Sequence, residues 1–197
     1  AIWDFSAKHF MAELKAKVNE LEIRTGSKKL LIAEFDLNNP RYINPPAKGG
    51  YGLDGQWIDE FHHAMHSVIT GEVNGYYEDF GEVAQIAKSL RDSYVYTGQY
   101  SKHRKKHFGM LPVDNPYSQF VIFTQNHDQV GNRLAGNRIS TQLSFEALKL
   151  LAATVLLAPQ VPLLFMGEEY GETNPFQYFI HHSDAALVEV VRKGRKE

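Results

Sequence analysis

Three short apolar runs, each giving way to polar or acidic residues, most constrain how this 197-residue chain can fold. They are Leu30-Leu31-Ile32-Ala33-Glu34-Phe35, the run from Phe120 to Thr124, and Val161-Pro162-Leu163-Leu164-Phe165-Met166. Nearly continuous apolar strands are typical of parallel sheets covered on both faces. Stretches with helical spacing lie between them. Phe10, Leu14, Val18 and Leu21 recur every three or four residues and predict a helix over 6–23, with Ser6 as N-cap and Gly26 as stop. Residues 56–69 read as a short strand or turn leading into a helix, 81–90 as a helix, and 143–157 as a helix rich in Ala and Leu. The segment from Ser183 also reads as helical. Residues 38–55, 96–117 and 132–141 read as loops. Helices alternating with buried strands predict βαβ units and an α/β fold.

A hydrophobic content of 43% is enough for one domain with a sizeable core. The formal charge of -2 predicts no general attraction to nucleic acid or to an anionic membrane. No apolar run approaches the roughly 18 residues that a membrane span needs. The chain has no cysteine, which excludes disulfides and thiolate chemistry and fits a reducing, cytoplasmic compartment. No Gly-x-Gly-x-x-Gly follows a strand and no Gly-x-Ser-x-Gly occurs, so phosphate cradling and acyl transfer have no support. Ala1-Ile2-Trp3 is neither a start methionine nor a signal peptide, and the end at Glu197 falls inside a charged helical stretch. Both ends read as cuts through a longer protein.

Two of the strand ends carry carboxylates. After Thr124 come Gln125-Asn126-His127-Asp128-Gln129-Val130-Gly131-Asn132-Arg133. A carboxylate beside a histidine can meet positive charge developing on a substrate; alternatively Asn126 and Asp128 cap the next loop. Side chains alternate along a strand, so Leu30, Ile32 and Glu34 share a face, with Asp36 just beyond its end. An acid on a buried face is costly unless paired or functional. Arg41 or Lys48 would be the pairing partner. Two carboxylates at the ends of two parallel strands suit glycoside hydrolysis, one as acid and one as charge stabiliser or nucleophile. Partial burial of Glu34 would raise its pKa toward neutrality.

Other candidates have plainer alternatives. His62 and His66 stand four apart, as metal ligands do, but a zincin needs Glu beside the first His and here it is His63. Packing or hydrogen bonding at a helix is the favoured role, and no metal or cofactor is expected. The basic run 101–108 reads as a solvated loop near the site entrance rather than a phosphate contact. Trp57, Tyr76, Tyr77 and Phe108 either stack on sugar rings or pack the core. Arg133 either binds sugar hydroxyls or neutralises a carboxylate. Glu168 and Glu169 either reach the site or pair with neighbouring Arg and Lys.

Residues 32–38 (Ile-Ala-Glu-Phe-Asp-Leu-Asn) and 123–133 (Phe-Thr-Gln-Asn-His-Asp-Gln-Val-Gly-Asn-Arg) resemble the third and fourth signature regions of the α-amylase superfamily. More narrowly they resemble the maltooligosyltrehalose trehalohydrolases. Residues 49–57, 61–66 and 167–171 are similar to the same family. The resemblance implies a (β/α)8 barrel of which residues 1–197 are roughly the second half, part of a single catalytic domain without the family's N- and C-terminal β-domains. It implies hydrolysis, with retention, of the α-1,4 bond next to a terminal trehalose. By motif, Glu34 matches the general acid/base, Asp128 the carboxylate that stabilises the transition state, and His127 a sugar-binding histidine. Asn126, Gln129, Arg133, Trp57, Tyr76 and Tyr77 are expected to bind substrate. The family's nucleophile sits in an Arg-x-Asp-x-x-His pattern that does not occur here and would precede Ala1. The 197 residues alone are therefore expected to be inactive. The expected partner is a trehalose-terminated glucan, without nucleic acid or membrane. The uncovered edges of a half-barrel predict self-association or pairing with the missing half. A branching or other α-glucan-active enzyme, or a non-catalytic glucan-binding module, is the alternative.

Overall fold

In the computed structural model, which describes residues 3–196, four parallel strands form the central sheet. They are β1 (Ile32–Ala33), β2 (Gly55–Trp57), β5 (Phe120–Ile122) and β6 (Val161–Pro162), adjacent in that order. Pairing runs Ile32 to Gly55, Gln56 to Phe120 and Val121 to Val161. Between β2 and β5 lie α2 (Asp59–Thr70), α3 (Val83–Asp92) and a hairpin of β3 (Tyr100–Ser101) and β4 (Lys106–His107). Between β5 and β6 lie α4 (His127–Gly131) and α5 (Phe145–Leu156). Helix α1 (Phe10–Thr25) precedes β1, and α6 (Ala185–Gly194) follows β6. Parallel neighbours need such long crossovers.

The core packs under the sheet around Phe61, Met65, Tyr94, Phe120, Ile122 and Leu151, all at least nine-tenths buried. Along α2, Phe61 and Met65 face this core, while Asp59 and His63 turn the other way toward the strand ends. A partly buried ion pair fixes α1 to the sheet: Lys15 Nζ lies 2.7 Å from Asp54, whose carboxylate also accepts the Leu31 N–H at 2.8 Å.

Several sequence expectations change. Ser6 does not cap α1: it bonds to Asp4, and the His9 ring nitrogen accepts the Met11 N–H instead, starting the helix at Phe10. Gly26 does stop it, in the left-handed conformation that costs glycine nothing (φ 62°). The predicted strands shrink to their paired cores of two or three residues. The run at Leu30 is not covered on both faces here: Leu30 is 61% and Ile32 47% exposed along the β1 edge. The other edge likewise exposes Leu164 and Met166. The predicted loop over 96–117 contains the β3–β4 hairpin, and the stretch after Asn126 forms α4. No helix among the described residues is long and apolar enough to cross a membrane.

Candidate active site

Strands β1 and β5 flank β2, and their C-terminal ends bring the two predicted carboxylates together. His127 Nε2 lies 3.0 Å from Glu34 Oε1 and 3.6 Å from Asp128 Oδ1. One donor-type atom from each of the three residues falls within 4.8 Å of the others. Glu34 pairs with neither Arg41 nor Lys48. The Arg41 guanidinium lies over the Tyr51 ring, and Lys48 meets Asp114. The Glu34 side chain is 47% exposed. The three groups could contribute to a cation site. An imidazole with two exposed carboxylates nevertheless falls short of the six to eight oxygens that calcium takes.

Asn126 sets the geometry. Its side chain is buried and accepts the Asp128 and Gln129 N–H groups at 2.9 and 3.1 Å, capping α4. The capping alternative is therefore real for Asn126, and it aims His127 and Asp128 outward. Behind β5, the neutral His62 ring is fully engaged. Its Nδ1–H donates to the Thr124 carbonyl at 2.6 Å, and its Nε2 accepts from the Tyr77 hydroxyl at 2.8 Å. Burial pushes the His62 pKa well below its ordinary value. Neither nitrogen is left for a metal. His66 Nε2 meets Glu72 at 2.8 Å, and Glu72 in turn holds Arg133 at 3.2 Å.

A cleft of 610 Å³ opens beside this cluster. Glu34, Asp36, Asp59, His63, Tyr76 and Asp128 stand along it, with the β3–β4 hairpin at its mouth. The basic run is this hairpin. Arg104 pairs with Asp36 at 2.9 Å and lies 3.9 Å over the Phe108 ring. Asp79 anchors the hairpin by accepting the Ser101 hydroxyl and the Lys102 N–H.

Among the described residues, Glu168 and Glu169 do not pair with Arg or Lys. Glu168 accepts the Thr124 hydroxyl and the Phe165 N–H, tying the end of β5 to that of β6, and Glu169 accepts the Gly167 N–H. Burial raises the Glu168 pKa.

No family model matches the chain. It is 46% identical over 196 residues to a malto-oligosyltrehalose trehalohydrolase of Saccharolobus solfataricus, covering 100% of this chain and 34% of that protein. It is 45% identical to another from Arthrobacter ramosus, covering 99% and 34% respectively. This chain is a relative of the malto-oligosyltrehalose trehalohydrolases. It spans about a third of the length of the curated relatives it matches. A crystal structure of a candidate alpha amylase from Salmonella typhimurium superposes with a TM-score of 0.82 at 37% identity, over 99% of this chain and 33% of that one. The α/β fold is thus that of a partial barrel.

Of the residues expected at the site, the structure brings Glu34, His127 and Asp128 together, and the others differ in where they stand. Gln129 lines the same cleft, 3.4 Å from Asp59. Tyr76 lines it too and is 44% exposed. Tyr77 is 2% exposed, committed to His62 and stacked on His66, and offers no face to a sugar. Arg133 neutralises a carboxylate, that of Glu72. Trp57 packs on Phe123 and His127, 5.3 and 5.7 Å between ring centres. Phe108 is buried.

Sequence reasoning missed Asp59 and Tyr178. Asp59 follows β2 at the start of α2, and burial together with the charges of Asp36, Asp128 and Glu34 raises its pKa to about 7. Its position just after an apolar strand end was the available signal. Tyr178 donates to Asp128 Oδ1 at 2.8 Å across 50 residues of sequence, which no local pattern announces.

Proposed function

We propose that the protein to which this chain belongs hydrolyses the α-1,4 bond next to the terminal trehalose of a maltooligosyltrehalose, releasing trehalose with retention. The observation that carries this reading is the Glu34–His127–Asp128 cluster at the C-terminal end of a parallel sheet. In (β/α)8 barrels that is the catalytic face. Residues 1–197 are part of one such catalytic barrel.

Glu34 protonates the leaving glycosidic oxygen. An aspartate from a segment outside these residues attacks the anomeric carbon, so that one C–O bond forms as the other breaks. Retention calls for about 5–5.5 Å between that carboxylate and Glu34. Asp128 stabilises the positive charge on the sugar ring, and His127 hydrogen-bonds the same sugar. Glu34, now ionised, takes a proton from water as it cleaves the glycosyl–enzyme ester. The glucan is the partner, and the 197 residues without the attacking aspartate are inactive.

Product analysis tests the reading. Full-length protein given maltooligosyltrehalose yields free trehalose and a shortened maltooligosaccharide. Branched glucan without trehalose would assign the chain to a branching enzyme instead.

A further inference from the structure

We infer that Arg138 is a positioning residue for Asp128, acting through a strap of residues 172–178 that carries Tyr178 to that carboxylate. The inference deepens the glucan reading of the site and rests on it.

Arg138 is a buried cation, 6% exposed, with no carboxylate at ion-pair distance among the described residues. Its guanidinium donates instead to two main-chain carbonyls, that of Met166 at 2.7 Å and that of Asn174 at 2.9 Å. It also lies 5.1 Å over the Phe165 ring. Burying a charge is costly unless its hydrogen bonds are made. Here they are made to the two ends of one loop, the stretch 166–174 that follows β6. A planar guanidinium can hold both carbonyls at once, which the single ammonium of a lysine cannot reproduce.

From that loop the strap runs antiparallel to residues 136–140, and alternate residues meet. The Ser140 hydroxyl donates to the Glu172 carbonyl, Arg138 to that of Asn174, and the Phe176 N–H to that of Gly136 at 2.9 Å. Gly136 is fitted to this crossing: its φ is 66°, and a Cβ there would stand 2.1 Å from the Phe176 carbonyl oxygen. Phe176 is buried against Phe165, 5.0 Å between ring centres, with Val130 in the same cluster. Tyr178 packs on that cluster, and its hydroxyl donates to Asp128 Oδ1 at 2.8 Å.

Only one oxygen of Asp128 is held. The Tyr178 hydroxyl, the Asn132 amide and the His127 ring all approach Oδ1, at 2.8, 3.4 and 3.6 Å, and Oδ2 has no partner among the described residues. That fixes the rotation of the carboxylate and leaves Oδ2 for the sugar, an alignment set before the reaction begins. Burial, then the bond to Asp128, raise the Tyr178 pKa to about 12, so the phenol remains a donor at working pH.

The test is a double-mutant cycle in full-length protein, read as trehalose release from maltooligosyltrehalose. Arg138→Lys keeps the charge and loses the two-pronged hold. Its kcat should fall roughly tenfold or more while KM changes little, because a misaligned charge stabiliser is felt in the transition state. Tyr178→Phe should lose a similar factor, and the double variant no more than the larger single loss. A group that only supports the fold would lower the melting temperature and leave the kcat of the folded protein intact. Wild-type kcat in Arg138→Lys overturns the inference, as do losses that multiply in the double variant. Should Arg138→Lys fail to fold, Ser140→Ala loosens the same strap one step away and is held to the same cycle. If the protein shortens maltoheptaose but releases no trehalose, the reaction reading fails, and the cycle read on maltoheptaose still decides this inference. If it cleaves neither, both fail.

Discussion

His127 Nε2 stands between two carboxylates, 3.0 Å from Glu34 Oε1 and 3.6 Å from Asp128 Oδ1. An imidazole standing between the two carboxylates keeps the proposed acid and the proposed charge stabiliser near the same substrate atoms. It also marks where a sugar hydroxyl would compete for the imidazole. Removing it should cost transition-state binding far more than stability, because the ring is 37% exposed. His127→Ala is expected to lower kcat/KM about 100-fold, near 2.7 kcal/mol of transition-state stabilisation. Steady-state kinetics with a thermal melt checks this, and a tenfold or smaller loss would argue against a role for His127 in the transition state.

Asp59 gives the site a pH signature. Its pKa of about 7 in the fold stands above the ordinary carboxylate value, through burial first and then through the charges of Asp36, Asp128 and Glu34. The folded protein therefore holds a proton that the unfolded chain releases near pH 4. The wild type should lose stability as pH rises from about 4 to about 7. Asp59→Asn removes that loss. At pH 8 the variant should be more stable than wild type by on the order of 2 kcal/mol, a value discounted for the group's partial exposure to the cleft. At pH 4 the two should match. Calorimetry at both pH values decides, and a variant less stable than wild type at pH 8 would refute the assignment.

The Tyr77 hydroxyl donates to buried His62, which in turn holds the Thr124 carbonyl at the end of β5. Tyr77→Phe leaves the ring stack intact but orphans His62 Nε2. A loss of about 1–3 kcal/mol is expected in urea denaturation. Unchanged stability would show that water replaces the hydroxyl.

Gly131 is required by contact rather than by backbone conformation. A Cβ there would stand 2.6 Å from Tyr178 Cζ, and that ring carries the hydroxyl bonded to Asp128. Gly131→Ala should therefore lower kcat/KM at least as far as Tyr178→Phe does. In a Tyr178→Ala background, where the clash is gone, it should be nearly neutral. An additive loss in the double variant would contradict this coupling.

The strand ends bearing Glu34 and Asp128 were legible in the sequence because each follows its own apolar run. Asn126 could be read as a cap for the same local reason. The fates of His62, His63 and His66 were not legible, since they depend on Thr124 and Glu72, brought close only by the fold. The same holds for Tyr178 on Asp128 and for Arg133 on Glu72. Helix α1 starts late because His9 supplied the cap that a serine was expected to give. The β3–β4 hairpin lacks an alternating pattern. Asp79 and the Arg104–Asp36 pair hold it, and both are contacts distant in sequence.

The most direct test of the central claim is trehalose release by full-length protein with Glu34→Gln. The substitution keeps size and hydrogen bonding but cannot donate and recover the proton. Release from maltooligosyltrehalose should fall at least about 1,000-fold, with the melting temperature unchanged. Trehalose release at the wild-type rate would contradict the account.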